Sequence, residues 1–173
     1  MHRHDGPSAQ APRADAVAIV TGGGSGLGRE VACGLARWGW AVVVVYLAHQ
    51  RSAEATIAEI LGANGTTVAV RADLGDDLDV ERLYAESIAA FGRVDVVVHT
   101  TTDNAALLYG YAARHVHASG AIVSIGAAEP IADGVAGRLR ERGVTVGQAS
   151  PHAVLWFLDE WRRRPMGEAS RVL

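Results

Sequence analysis

Thr21-Gly22-Gly23-Gly24-Ser25-Gly26-Leu27-Gly28 stands between an apolar run at residues 17–20 and a helical pattern at residues 29–38, in which Val31, Leu35 and Trp38 share a face. A strand that turns directly into a helix points free backbone N–H groups and the positive end of the helix dipole at an anion. Gly22, Gly26 and Gly28 suit the three demands of such a turn: a tight bend, close approach of a pyrophosphate, and close packing of helix on strand. A Gly-rich turn without ligand is the plain alternative, but it explains the strand before and the helix after less well.

The rest of the chain alternates in the same way. Residues 40–47 form a nearly continuous apolar run, as expected of a strand covered on both faces. Residues 52–61 read as a helix, with Ser52 as candidate cap and a stop at Gly62-Ala63-Asn64-Gly65. Strands follow at 67–70, 94–98, 121–125 and 144–146, and helices at 78–91, 105–117, 131–142 and 154–164. Residues 170–173 read as a short final strand. This order predicts an α/β fold, a doubly wound parallel sheet of Rossmann type with helices on both faces.

At 173 residues, 49% of them hydrophobic, the chain has material for one domain with a substantial core, assigned to residues 15–173. Residues 1–14 read as a disordered leader, with no apolar segment of signal-peptide type. A net charge of −3 argues against nucleic-acid and membrane-surface roles. Cys33 is the single cysteine, so no disulfide forms within the chain, which fits a cytoplasmic location; it reads as a packing residue rather than a nucleophile.

The segment from Val17 to Val98 resembles the cofactor half of the short-chain dehydrogenase/reductase family, whose first turn is written T-G-x-x-x-G-x-G and stands intact here. Ala72-Asp73-Leu74 resembles the family's D-[LV] contact to adenine, and Phe91-Gly92-Arg93-Val94-Asp95 its F-G-x-[LI]-D entry to the fourth strand. Gly120-Ala121-Ile122-Val123-Ser124-Ile125 and Arg142-Gly143-Val144-Thr145-Val146 are similar to its fifth and sixth strands. The resemblance implies an oxidoreductase, and with the turn it assigns Gly22, Ser25, Gly26, Leu27, Gly28, Tyr46, Arg51, Asp73, Leu74 and Thr100 to an NAD(P) cofactor.

Departures from the family pattern concern chemistry. His99-Thr100-Thr101-Thr102 replaces the family's N-N-A-G after the fourth strand, losing an amide and a close-packing glycine. Ala127 stands where the catalytic Ser is expected, no Tyr follows Tyr111, and the chain has no lysine. Since that Tyr is the family's proton donor and the Lys lowers its pKa and holds the ribose, the usual route of hydride transfer has lost its acid. The chain is also short after the fourth and fifth strands, where the family carries the helices of its main dimer face. The usual four-helix dimer is therefore expected to be weakened or replaced.

An acidic residue about twenty positions beyond the turn would bind the ribose 2′-OH of NAD. Tyr46 stands there instead, with His49 and Arg51 just beyond, so NADP is preferred over NAD; Arg51 as a solvated loop charge is the alternative. For replacement acid–base chemistry the candidates are His99, at the crevice end of the fourth strand, and Asp103 to orient it. The competing reading has His99 and the threonines filling space. Tyr109 and Tyr111 read as core aromatics, and His115 and His117 as surface residues rather than metal ligands, so no metal is expected. In the last helix Val154, Leu155, Trp156, Phe157, Leu158 and Trp161 cover more than one face, which suggests a homo-oligomer contact or deep burial against the sheet.

Three functional readings follow: an NADP-dependent reductase with an unusual proton donor; a non-redox cyclase, isomerase or dehydratase that reuses the crevice for a small molecule, with no cofactor bound; and a non-catalytic protein that senses NADP(H) or acts as a scaffold.

Overall fold

The computed structural model describes residues 14–103, 105–125 and 131–163. Ala127, the expected strand at 170–173 and all but Ala14 of the expected leader lie outside these residues. Six strands, β1 (Val17–Thr21), β2 (Ala41–Tyr46), β3 (Thr66–Arg71), β4 (Val94–His99), β5 (Val116–Ile125) and β6 (Thr145–Ala149), form one sheet. Its order is β3-β2-β1-β4-β5-β6, and every neighbouring pair is parallel. The chain moves outward from β1 to β3, then returns to place β4 on the other side of β1. That reversal opens a crevice at the carboxyl ends of β1 and β4.

Alternate residues of each strand feed two cores. Ala18, Val20, Val42, Val44, Val96, Val98 and Val123 pack under α1 (Gly26–Arg37), α2 (Gln50–Gly62) and α6 (Val154–Arg162). Ile19, Val43, Val45, Val97 and Ile122 pack under α3 (Asp77–Phe91), α4 (Ala106–His115) and α5 (Asp133–Glu141). Central strands buried on both faces explain why β1 and β2 read as nearly continuous apolar runs and why β4 is apolar but for Asp95 and His99. Fully buried side chains such as Leu35, Ile60, Leu83 and Leu158 each contribute about 2 kcal/mol of transfer free energy.

Two local expectations need correction. Ser52 is not a cap: α2 begins two residues earlier with His49 as N-cap, and the Ser52 N–H already donates to the His49 carbonyl. The helix expected over 105–117 stops at His115, so Val116 and His117 belong to β5. Arg142 accounts for that stop, because its guanidinium donates to the Ala113 and Val116 carbonyls that a continuing helix would use internally. Val116 then buries its β-branched side chain and pairs with Val94. No helix among the described residues is long and apolar enough to cross a membrane.

Candidate functional site

β1 delivers the chain to the crevice at Thr21, and the next seven residues reverse it into α1. Gly22 and Gly26 take φ of +61° and +50°, a region that side chains disfavour. A Cβ at Gly28 would lie 2.1 Å from the Gly22 carbonyl oxygen, so only glycine lets α1 approach the turn this closely. Gly26 meets the opposite condition, with nothing within 4 Å of where a Cβ would stand. Ser25 is the N-cap of α1, yet its side chain makes no capping hydrogen bond, and the first helical turn carries no acidic residue. Among the described residues, neither Ser25 nor an acidic side chain of the first turn caps the positive helix end, an arrangement that fits a phosphate anion. Leu27 turns the other way and packs on the core.

At the neighbouring strand ends, Tyr46 stands opposite Arg71, and the Tyr46 carbonyl accepts from the Ala72 N–H at 2.9 Å, which draws Asp73 and Leu74 alongside. His49 and Arg51 are exposed and line a surface cleft with Ala48, Gln50, Ser52 and Glu54. Arg71, which the sequence pattern does not single out, donates to the Leu47 carbonyl at 3.1 Å and sets a cation beside Tyr46. Strand pairing alone brings it there, across 25 residues of chain. The Asp73 carboxylate accepts from the Gly75 N–H at 2.8 Å, while Leu74 is buried.

The carboxyl end of β4 holds a buried polar chain. Thr100 donates its N–H to the Thr21 hydroxyl at 3.0 Å and its own hydroxyl to the Thr21 carbonyl at 2.7 Å. The Thr21 hydroxyl lies 2.9 Å from Nδ1 of His99, and Nε2 of His99 lies 3.2 Å from the Asp103 carbonyl. A nitrogen that faces a carbonyl must carry the proton, so in neutral His99 the proton sits on Nε2 and Nδ1 accepts from the Thr21 hydroxyl. The imidazole is fully buried, and burial holds its pKa below the ordinary value against the opposing pull of Asp103. It is the Asp103 backbone that orients His99. Tyr109 packs edge-on to His99 with ring centroids 5.9 Å apart, and burial pushes its phenol up to about 12, with the Ser124 hydroxyl pulling back.

Of the residues assigned from sequence, the crevice thus gathers Gly22, Ser25, Gly26, Gly28, Thr100 and His99, while Tyr46, Asp73 and Leu74 lie at the ends of β2 and β3 and Arg51 in the first turn of α2. Cys33 is buried, its thiol raised by burial and by a hydrogen bond to Glu59, consistent with a packing role. His115 stacks on Tyr84 and Tyr111, His117 is exposed on β5, and no group that could hold a metal occurs among the described residues. On α6, Val154 and Leu158 are buried, Leu155 packs at Gly34, Phe157 at Gly147 and Trp161 against Trp40; Trp156 is exposed.

Comparison with known proteins agrees with this geometry. The chain is 44% identical over 82 residues to versicolorin reductase 1 of Aspergillus parasiticus, a stretch that covers 47% of this chain and 31% of that protein. It spans about a third of the length of the curated relatives it matches. A dehydrogenase/reductase from Sinorhizobium meliloti superposes with a TM-score of 0.65 at 29% identity, covering 78% of this chain and 71% of that one. A short chain dehydrogenase from Burkholderia cenocepacia, solved in complex with NADP, gives 0.68 at 26% identity over 79% and 73% of the two chains. The short chain dehydrogenase family profile matches residues 16–117, more than half of the sequence, and the chain belongs to that family.

Proposed function

We propose that this chain binds NADP(H) across the glycine turn and is an atypical oxidoreductase-family protein that does not reduce carbonyls by the usual Ser-Tyr-Lys route. The observation that carries the binding half is the turn itself: positive φ at Gly22 and Gly26, the close approach at Gly28, and an α1 N-terminus left uncapped by its own Ser25. Arg71 beside Tyr46 and Arg51 in the first turn of α2 support a 2′-phosphate, since Tyr46 stands where a carboxylate would repel it. The NADP bound by the Burkholderia relative supports the same choice. When bound, the nicotinamide would supply a hydride; this chain's own contribution is to hold the phosphates and orient the ribose ends.

The catalytic half of the reading rests on composition and on His99. The chain has no lysine and no tyrosine beyond Tyr111. His99 is the nearest titratable candidate, but both ring nitrogens are engaged and its pKa is depressed, which favours a structural part for it and a binding or sensing role for the protein. Titration of nicotinamide fluorescence with NADPH and NADH tests both halves. Tighter binding of NADPH, with no turnover on a panel of neutral ketones and aldehydes, is the expected result. Equal or tighter NADH binding would overturn the cofactor choice, and ketone reduction at ordinary family rates would overturn the catalytic reading.

A further inference from the structure

β3 stands at one edge of the sheet, so the backbone groups on its outer side have no strand to pair with. At its carboxyl end the directions alternate: the Ala72 N–H turns inward to the Tyr46 carbonyl, while the Arg71 carbonyl and the Asp73 N–H turn outward. Both outward groups are taken by side chains from the first two turns of α3. Nη2 of Arg82 donates to the Arg71 carbonyl at 2.9 Å, and the Asp79 carboxylate accepts from the Asp73 N–H at 2.9 Å. The same Nη2 donates to Asp79 at 2.6 Å, which joins the two caps into one unit. That unit is anchored in turn, because Asp76, the N-cap of α3, accepts from the Asp79 N–H at 3.0 Å. The Asp73 N–H, and after it the Arg82 guanidinium, hold the Asp79 carboxyl below the ordinary carboxylate range.

An exposed ion pair contributes little to stability by itself. This one closes the open edge of β3 at the residue whose Nε, bonded to the Leu47 carbonyl, sets a cation beside Tyr46. We propose that Asp79 and Arg82 are positioning residues for the 2′-phosphate end of the NADP(H) site and act through Arg71, by fixing the strand end from which its guanidinium meets the phosphate. This role rests on the NADP(H) reading above. Neither residue touches the cofactor; both keep Arg71 pre-organised, so their removal acts on the choice between NADPH and NADH.

Arg82→Met removes both bonds and keeps an aliphatic stem, whereas Glu86→Gln breaks only the ion pair that Arg82 makes away from β3. NADPH and NADH affinities are read by nicotinamide fluorescence, with thermal midpoints alongside. Arg82→Met is expected to weaken NADPH about three- to tenfold and NADH less than about twofold. Its midpoint should fall by no more than about 4 °C. Asp79→Asn should shift the ratio in the same direction and stands in if Arg82→Met does not fold. Arg82→Lys, which keeps donors for both partners, should bind NADPH within about twofold of wild type, and Glu86→Gln should change neither affinity. In an Arg71→Met background, Arg82→Met should cost less than about twofold more, since its effect runs through Arg71. An unchanged NADPH-to-NADH ratio in Arg82→Met and Asp79→Asn would overturn the assignment, as would equal losses for the two cofactors or full additivity with Arg71→Met. A wild-type chain that binds NADH as tightly as NADPH, or binds neither, would instead overturn the cofactor reading, and this role with it.

Discussion

β2 pairs in unbroken register with β1 from Ala41 to Val45 and with β3 from Ala41 to Tyr46, whereas β5 meets β4 across a register shift between Val94 and Val96. The helices differ in the same sense. α1, α2 and α3 run 12, 13 and 15 residues; α4, α5 and α6 run 10, 9 and 9. On the β4–β6 side α4 passes into β5 without a loop, Ser119 is forced to φ +72°, and Gly120 lies where a Cβ would be 2.3 Å from the Asp95 carbonyl oxygen. Glycine thus serves the two sides differently: at Gly22, Gly26 and Gly28 it lets the chain turn tightly from β1 into α1, and at Gly120 it relieves a crowded crossover. The regular side carries the glycine turn, and the compressed side is held by particular anchors.

Gly28→Ala and Gly120→Ala should have the largest effects, since each new methyl meets backbone that has no room to yield. A loss of about 3 kcal/mol in urea unfolding is expected for each. The two then separate: the folded fraction of Gly28→Ala should lose NADPH binding, while that of Gly120→Ala should keep it. Equal retention in both would break the contrast between a ligand turn and a structural one.

Arg142→Met removes two charge-assisted bonds to the end of α4 and should cost about 2 kcal/mol in the same assay. Arg29→Met, which breaks only an exposed ion pair to Glu59, should leave the unfolding midpoint nearly unchanged. Comparable losses would mean that the compressed side has no special dependence on Arg142.

His99 ties the two sides together through Thr21, and its titration measures that tie. Its folded pKa is lowered, so above about pH 6.5 the imidazole is neutral folded and unfolded alike, with no pH dependence from this group. Below that value the unfolded chain takes up a proton that the folded one refuses. Stability should fall by up to about 1.4 kcal/mol per pH unit until the folded pKa is reached. His99→Gln should flatten that slope between pH 6.5 and 5; an unchanged slope would assign it to other groups.

The smallest effect is a gain. Gly110 lies inside α4 with nothing within 4 Å of a would-be Cβ, so Gly110→Ala should raise stability by about 1 kcal/mol. Gly34→Ala inside α1 should show no such gain, because its methyl would meet Leu155 at 3.1 Å. A gain at both positions would show that α1 packs more loosely than its geometry implies.

The parallel sheet and the glycine turn were legible because both are local: apolar runs of strand length, helical periodicity, and glycines spaced for one bend. Element ends were less so. α4 reads as helical to residue 117, and only Arg142, 27 positions from His115 in the chain, supplies the reason it stops sooner. At the candidate site, Gly22 to Gly28 were visible in advance. Arg71 was not, because strand pairing brings it beside Tyr46.

By itself the sequence determined that this chain builds a doubly wound sheet with a glycine turn between its first strand and first helix, and that it has no lysine and no tyrosine after Tyr111. Those are properties of residue type and local spacing. The tautomer and burial of His99, and the placing of Arg71 beside Tyr46, were decided by the tertiary structure. Each depends on which groups from distant strands come within hydrogen-bonding distance, and no one-dimensional pattern encodes that distance.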